Sequence, residues 1–519
     1  MSPQDLGRKS LLLLGSTWGG TVLGMLVSLL IARLLGPTAL GGIGWSLGAA
    51  GLCMAALLPG FAQAHLKRLA EGQDAGRCLG TMAVIQLALT GLLLAAVGTG
   101  WALGGAAGAP ELGLVFLFVL ASQVSGNFAD IFLKVFIARE WIVGYSGIVL
   151  GARITRLVVT LAVLVWAPSV TAVAATFPLE GVLSCAAAAT LLARQHGVRA
   201  TRPTRDSLRG YWTYARPFMI TTPLALVQDS VDRFLVGHWA GLAAAGHYHV
   251  ARALWEALSS VIAALATFIF TRLSALFATR SAAGDAEARR FFWGALDKLL
   301  FLVIPLAFVL WAGAEAVVTL LYGAQFHPAV AALRILVLAA VAAAVVNPYT
   351  HAVYALDEGA RFVPVNLLRV VAYLAALSVL IPESPVAAWA VGHAAGLWTG
   401  PAGAAAARLF LILFPAWVYF RWTRDLAGIP LYPRAWIYLA GFALLLGVHL
   451  GLGRLLHGLV GGAVDPLFSW PAPAAVALGA YLLLLLCAHG GTRDNLAYAL
   501  SLLSPRRFRE FIVTGLRRT

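Results

Sequence analysis

Ionisable side chains stand in this sequence in the middle of runs that are otherwise apolar. Arg153 and Arg156 interrupt IVGYSGIVLGARITRLVVTLAVLVW, Asp130 and Lys134 interrupt VFLFVLASQVSGNFADIFLKVFIA, and Asp229, Asp232 and Arg233 interrupt TTPLALVQDSVDRFLVG. Arg252 and Glu256 share HVARALWEALSS, and Glu180, Arg334, Arg369 and Arg408 are single charges in apolar surroundings. A charge at the centre of a helix in lipid costs about 2.5 to 3.5 kcal/mol on the insertion scale, so each needs a partner or water. Asp130 with Lys134, and Arg252 with Glu256, are four residues apart, which puts each pair on one helical face and lets it close an ion pair. A guanidinium cannot be deprotonated and offers a planar fork to carboxylate or phosphate oxygens, so buried arginines suit the holding of an oxyanion rather than proton transfer. Asp229, Asp232 and Glu256 are candidates for a coupling proton or sodium ion. The two aspartates serve equally well to hold Arg233 or Arg252 in place, and Asp130 with Lys134 reads first as a structural pair.

The elements that carry these residues are set by composition. The 519 residues are 61% hydrophobic and 11% charged, with a mean hydropathy of +0.85, whereas a soluble domain is about a quarter charged. This is the composition of a polytopic membrane protein. Its apolar blocks have the length of about 20 residues that a helix needs to cross a bilayer, and they are continuous rather than alternating, which excludes a barrel. An all-α chain of about 14 transmembrane spans is expected. The first two cover residues 10–33 and 40–60, the sixth 170–193, the seventh 214–237, the twelfth 386–420 and the last two 435–457 and 468–488.

Numbering the spans alternately from a cytoplasmic start places 25 of the 37 Lys and Arg residues on inner connections, against Arg33 and Arg454 at outer ends. That bias predicts a multi-pass protein with both termini in the cytoplasm. The basic charge therefore reports topology, and no nucleic acid is implied. The short connections leave no room for a nucleotide-binding domain, no GxxxxGK[ST] occurs, and no cofactor is called for. Cys53, Cys78, Cys185 and Cys487 lack metal or disulfide spacing, and His238, His247 and His249 read as a solvated loop rather than a metal site. The glycines Gly41, Gly42, Gly44 and Gly48 suit close helix packing. In the tail, RRFREFIVTGLRR puts Phe508, Phe511, Ile512 and Leu516 on one face among arginines, as expected of a helix lying on an anionic leaflet, although a frayed basic tail fits as well.

The chain also repeats itself. LGPTALGGIGW (35–45) recurs as AGLAAAGHYHV (240–250), with Gly36 against Gly241 and Gly41 against Gly246. The offset predicts two parallel-repeat lobes of six helices, residues 1–200 and 201–425, an extra helix pair at 426–490 and a basic amphipathic tail at 491–519.

With IARLLGPTALG, the segments GFAQAHLKRLAEGQD, DRFLVGHWAGLAAAGHYHVARAL and LLYGAQFHPAVAALRIL resemble the polysaccharide flippases of the multidrug/oligosaccharidyl-lipid/polysaccharide (MOP) exporter superfamily. The Wzx-like O-antigen and lipopolysaccharide group is nearest, and the lipid II flippases are more distant. The resemblance implies a MOP/MATE-like bundle of two lobes in the bacterial inner membrane that moves a polyprenyl-diphosphate-linked glycan between leaflets. The lipid II branch has a cavity arginine in the same Ala-Arg-x-x-Gly context as Arg33, and another that matches Arg252 after Tyr248. Other arginines of that branch are absent here. By this likeness Arg33 and Arg252 are expected substrate contacts; Arg153, Arg156 and Lys134 join them as candidates because they are cations within apolar spans, with Asp130 and Arg233 as charge partners. Arg33 fits a snorkelling anchor equally well, and Arg252 an internal salt bridge to Glu256 or Asp232. The implied partners are the lipid-linked glycan, membrane lipids, H+ or Na+, and polysaccharide polymerase and ligase proteins. A cation-exporting relative of the MATE type is the first alternative. A membrane-embedded glycan polymerase, ligase or acyltransferase is the second, weakened by the short outer connections.

Overall fold

A computed structural model describes residues 3–57, 60–104, 110–216, 218–277, 282–356, 361–390, 399–460 and 470–488, and every element among them is helical. In lipid a helix satisfies its own backbone groups, which is why the apolar blocks take this form. Among the described residues eleven helices are long and apolar enough to span a membrane. Three differences account for the fourteen expected. The first two spans are helices that abut at Gly36 (φ 82°, ψ −179°), just before Pro37, with no loop between them, and are labelled together as α1 (Pro3–Leu57). The seventh, α9 (Phe218–Trp239), carries Asp229, Asp232 and Arg233 and is too polar for the criterion. The fourteenth, α19 (Pro471–Ala488), has an apolar stretch of only Pro471–Leu485.

Two other expected spans are interrupted. The sixth is α6 (Val170–Ala174) followed by α7 (Phe177–Gln195). Ser169 Oγ caps the start of α6 by accepting from Ala172 N–H, and the break is held by Thr176, whose hydroxyl lies 2.7 Å from the Val173 carbonyl and 2.9 Å from the Thr160 hydroxyl. The twelfth includes α15 (Pro385–Ala390), α16 (Gly400–Leu413) and α17 (Ala416–Ala427), with Pro401 and Pro415 at the starts of the last two.

Backbone packing divides the chain into two compact units, one through His249 and one beginning at Val250. In the first, α1 packs on α4 (Pro110–Ala138), α5 (Ile142–Trp166) and α9, and α4 packs on α7. The short helices α2 (Phe61–Ala70) and α8 (Arg205–Ala215) close a core with Met82 of α3 (Ala75–Gly104), Phe136 and Leu192. The helix α10 (Leu242–Phe277) begins in this unit. In the second unit α13 (Ala329–Tyr354) is apolar on every side and is buried among α11 (Ala282–Ala312), α16 and α17, as a helix without a polar face must be. Helix α12 (Ala314–Tyr322) flanks it, α14 (Phe362–Leu380) packs on α16, and α18 (Ala435–Val460) pairs with α19. Asp297 of α11 accepts hydrogen bonds from the Tyr432 and Tyr438 hydroxyls at 2.6 and 2.8 Å, joining α11 to the start of that pair. The tail at 491–519 lies outside the described residues.

His65 of α2 is fully buried between α4 and α8. Its Nε2–H donates to the Ile131 carbonyl at 2.9 Å, so Nδ1 accepts from the Tyr211 hydroxyl, also at 2.9 Å. Burial holds the ring neutral and lowers its pKa from 6.5 to about 4, against the opposing pull of the Ile131 hydrogen bond. Because the folded value lies below the unfolded one, this contribution is complete above pH 6.5 and is lost as pH falls toward 4, by up to about 1.4 kcal/mol per unit. Melting of the detergent-solubilised protein should therefore move to lower temperature between pH 6.5 and 4.5, and the His65→Gln variant should show a flatter profile over that window.

Candidate functional site

One cluster of charge in the first unit is at the middle of α5. At about 1.5 Å per residue, Arg153 and Arg156 lie roughly 17 and 21 Å from Ile142 along a helix of about 37 Å. Both reach Glu180: Arg153 Nε donates to Oε1 at 2.8 Å and Arg156 Nη1 donates to Oε2 at 2.9 Å. Glu180 is in the first turn of α7, where the helix dipole favours an anion, and that turn exists here because the sixth span is broken. Arg156 also lies 4.1 Å from the ring centre of Phe177, a cation–π contact. A Cβ on Gly20 of α1 would lie 1.6 Å from Arg153 Nη1, so the glycine gives the guanidinium its place. Two cations on one carboxylate leave a net charge of one positive, and the three side chains keep between 18% and 32% of their surface. The cluster is thus a partly open cationic site within a spanning helix, able to bind an oxyanion through the N–H groups that Glu180 does not occupy.

Asp130 and Lys134 form the expected ion pair on α4, with Lys134 mostly covered. Asp232 is fully buried, and its carboxylate accepts from Tyr248 Oη at 2.6 Å and from the Arg233 backbone N–H at 2.8 Å. The structure thus gives Asp232 a positioning contact. Asp229 is exposed on the same helix, and Arg33 is exposed just before the break at Gly36. In the second unit Arg252 is buried and donates from Nε to Glu256 at 2.7 Å, the internal pair named as its alternative. His238 is exposed and stacks on Phe234. Among the described residues no group of three His, Cys, Asp or Glu gathers as metal ligands.

The repeated segments meet each other. Gly36 and Gly241 both have positive φ, 82° and 89°, which an L side chain rarely adopts. A Cβ on Gly41 would lie 1.6 Å from the Leu242 carbonyl oxygen, and one on Gly246 would lie 2.0 Å from that of Pro37. Gly48 likewise faces backbone, at Phe234 N and the Ser230 carbonyl, whereas Gly44 faces the His249 side chain at 3.2 Å and Gly51 the Ser230 hydroxyl. One face of α1 is therefore packed closely on α9 and the start of α10, backbone to backbone at Gly41, Gly48 and Gly246. Gly42 points elsewhere, toward Leu112 at an ordinary 3.6 Å.

The architecture is similar to that of solved structures of membrane transporters. The lipid II flippase MurJ in an inward closed conformation has a TM-score of 0.67 at 13% identity, covering 91% of this chain and 98% of its own. An inward-facing multidrug resistance MATE family transporter of the MOP superfamily has a TM-score of 0.57 at 17% identity, over 79% of this chain and 94% of its own. A MOP superfamily transporter from Pyrococcus furiosus scores 0.56 at 18% identity, over 82% and 96%. At such identities the likeness defines the fold, which is that of the MOP-type transporters. Within it, the chain belongs to the polysaccharide biosynthesis protein family, whose model matches residues 30–331. No curated protein matches the chain.

Sequence reasoning named Arg153, Arg156 and Glu180 but not their union. It passed over Asp297, since nothing local links that residue to Tyr432 and Tyr438. It also left Arg408 as a lone charge, whereas its guanidinium lies 5.2 Å from the ring centre of Trp255.

Proposed function

We propose that the protein is a flippase that carries a polyprenyl-diphosphate-linked oligosaccharide, the repeat unit of a surface polysaccharide, across the bacterial inner membrane by alternating access and without an ATPase of its own. The observation that carries this reading is the Arg153–Glu180–Arg156 cluster, a lasting positive charge in the middle of a spanning helix. A diphosphate entering a low-dielectric space needs matched cations, and guanidiniums already held by a carboxylate lose little freedom in meeting it. Lys134, about 6 Å from the end of α4, precedes them on the way in from that end. Arg33 and Arg252 complete the contacts expected from the family likeness. The lobes at 1–200 and 201–425 would rock about the site while the isoprenoid tail stays in lipid beside the helix pair at 426–490. Both termini then lie in the cytoplasm. Asp229, Asp232 and Glu256 remain the candidates for coupling to H+ or Na+, and a polymerase and a ligase would consume the product outside.

The test is a deletion strain in which glycan synthesis continues. Spheroplasts should accumulate lipid-linked glycan that an added glycosidase cannot reach, and the wild-type gene should restore access. Glycan reached equally well in the deletion strain, with only drug sensitivity altered, would replace this reading by the exporter one.

A further inference from the structure

The helix α8, RDSLRGYWTYA, is fixed to the first unit along one side. Tyr211 and Ala215 are buried, Arg68 Nη2 of α2 donates to the Gly210 carbonyl at 3.3 Å, and the Ser207 and Thr81 hydroxyls lie 2.9 Å apart. Thr81 is about 9 Å along α3 from Ala75, where that membrane span begins. The helix is therefore held at the level of the bilayer boundary.

On the side away from Tyr211, the residues Arg205, Arg209, Trp212 and Arg216, the last at the C-cap, recur at intervals of four, three and four. All four are exposed, and Trp212, whose ring meets Phe61, keeps 51% of its surface. Among the described residues none of the three guanidiniums forms an ion pair or hydrogen bond, and Asp206, the only acid of the helix, engages none of them. The cations of the neighbouring α2 differ, since Lys67 and Arg68 both meet Glu71, at 3.8 and 3.1 Å.

A partner for this face must bring negative charge along about 17 Å of helix and must accept an indole among the cations. A bilayer surface with anionic headgroups supplies both. Its phosphates take guanidiniums through paired hydrogen bonds, long arginine stems reach over apolar surface, and an indole settles with its ring toward acyl chains and its N–H among polar groups. A soluble acidic partner would satisfy the arginines but would gain nothing from a stripe set at the ends of membrane spans.

We propose that this face of α8 docks on anionic phospholipid in the adjacent leaflet, with Arg205, Arg209 and Arg216 on headgroup phosphates and Trp212 in the boundary beneath them. The proposal is independent of what the protein transports and of which leaflet lies at this end.

The experiment is hydrogen exchange, read by mass spectrometry, on the full chain in two kinds of nanodisc, one of phosphatidylcholine and one that also contains phosphatidylglycerol. Three basic residues at an anionic surface correspond to on the order of a hundredfold in binding, so the amides of residues 205–216 should exchange at least about tenfold more slowly beside phosphatidylglycerol. Equal rates in the two discs overturn the proposal and leave the stripe to a soluble acidic partner. In Arg205→Gln/Arg209→Gln/Arg216→Gln the two discs should give the same rates, and Trp212→Ala should lower the gain at least about threefold. A full gain in either variant also overturns it. Arg199→Gln/Arg202→Gln removes charge from the segment before α8 and should keep the gain; a loss equal to that of the stripe variant would make the effect one of net charge, and the proposal would fall. A readout on the unaltered chain stands beside these. In about 1 M sodium chloride, where charges are screened within about 3 Å, the slowing by phosphatidylglycerol should fall away, and slowing that persists counts against arginine contacts.

Discussion

Glu180→Gln should lower the melting temperature of the solubilised protein more than Arg153→Gln or Arg156→Gln, while the arginine variants should do the greater damage to glycan export at equal expression. Glu180 is the shared acceptor of both guanidiniums, at 2.8 and 2.9 Å. Without it, two like charges face each other within a spanning segment. Removing one partner of a fully buried pair costs about 3 to 5 kcal/mol. The exposure that remains at these side chains reduces the figure here to about 1 to 3 kcal/mol. Losing either arginine leaves one neutral pair, a milder change for the fold. It also removes the net positive charge on which attraction for a diphosphate depends. A charge-assisted hydrogen bond of about 1.5 to 3 kcal/mol corresponds to about a 10- to 100-fold loss in substrate affinity. Melting curves and surface-glycan staining of complemented cells decide the matter. The reverse order, with export indifferent to both arginines, would make the cluster a structural tie alone.

Gly41→Ala is expected to abolish export while leaving the protein in the membrane. The added carbon would stand 1.6 Å from the Leu242 carbonyl oxygen, and that atom belongs to the backbone, so no rotamer change relieves the overlap. The helices can only part. The measurement is maleimide labelling of Ala39→Cys, a position with 8% of its surface exposed. It should be protected in an otherwise normal background and should label at least tenfold faster beside Gly41→Ala. Gly42→Ala is the control, since its nearest neighbour, Leu112, is 3.6 Å away, and it should change neither labelling nor export. Normal export by Gly41→Ala would show that the close approach is dispensable.

What could be read from the sequence was whatever is local or periodic. Membrane spans follow from unbroken apolar length, and the pairs Asp130 with Lys134 and Arg252 with Glu256 follow from a spacing of four. The repeat announced itself through Gly36 and Gly241, whose shared positive φ is a backbone requirement that spares the residue type while its neighbours diverge. What could not be read is where distant segments converge. Glu180 is 24 and 27 positions from the arginines it binds, and only the break after Ala174 turns it toward them. Asp232 reads from the sequence equally as an ion carrier and as a brace, and no local pattern shows that the Tyr248 hydroxyl, 16 positions on, donates to it. The first two spans abut because Gly36 turns the chain without a loop, which a hydropathy pattern does not distinguish from a short connection.

Gly41 lies against Gly246 and Gly44 against His249, so the two copies touch through corresponding positions, as the faces of a symmetric dimer do. In a dimer of separate, identical chains any change at such a position is felt on both sides at once, which leaves little room for trial. Fusion into one polypeptide lifts that constraint, because each side is encoded apart and drifts alone. The imidazole opposite Gly44 is the mark of that freedom: the two segments meet at corresponding positions and are no longer interchangeable.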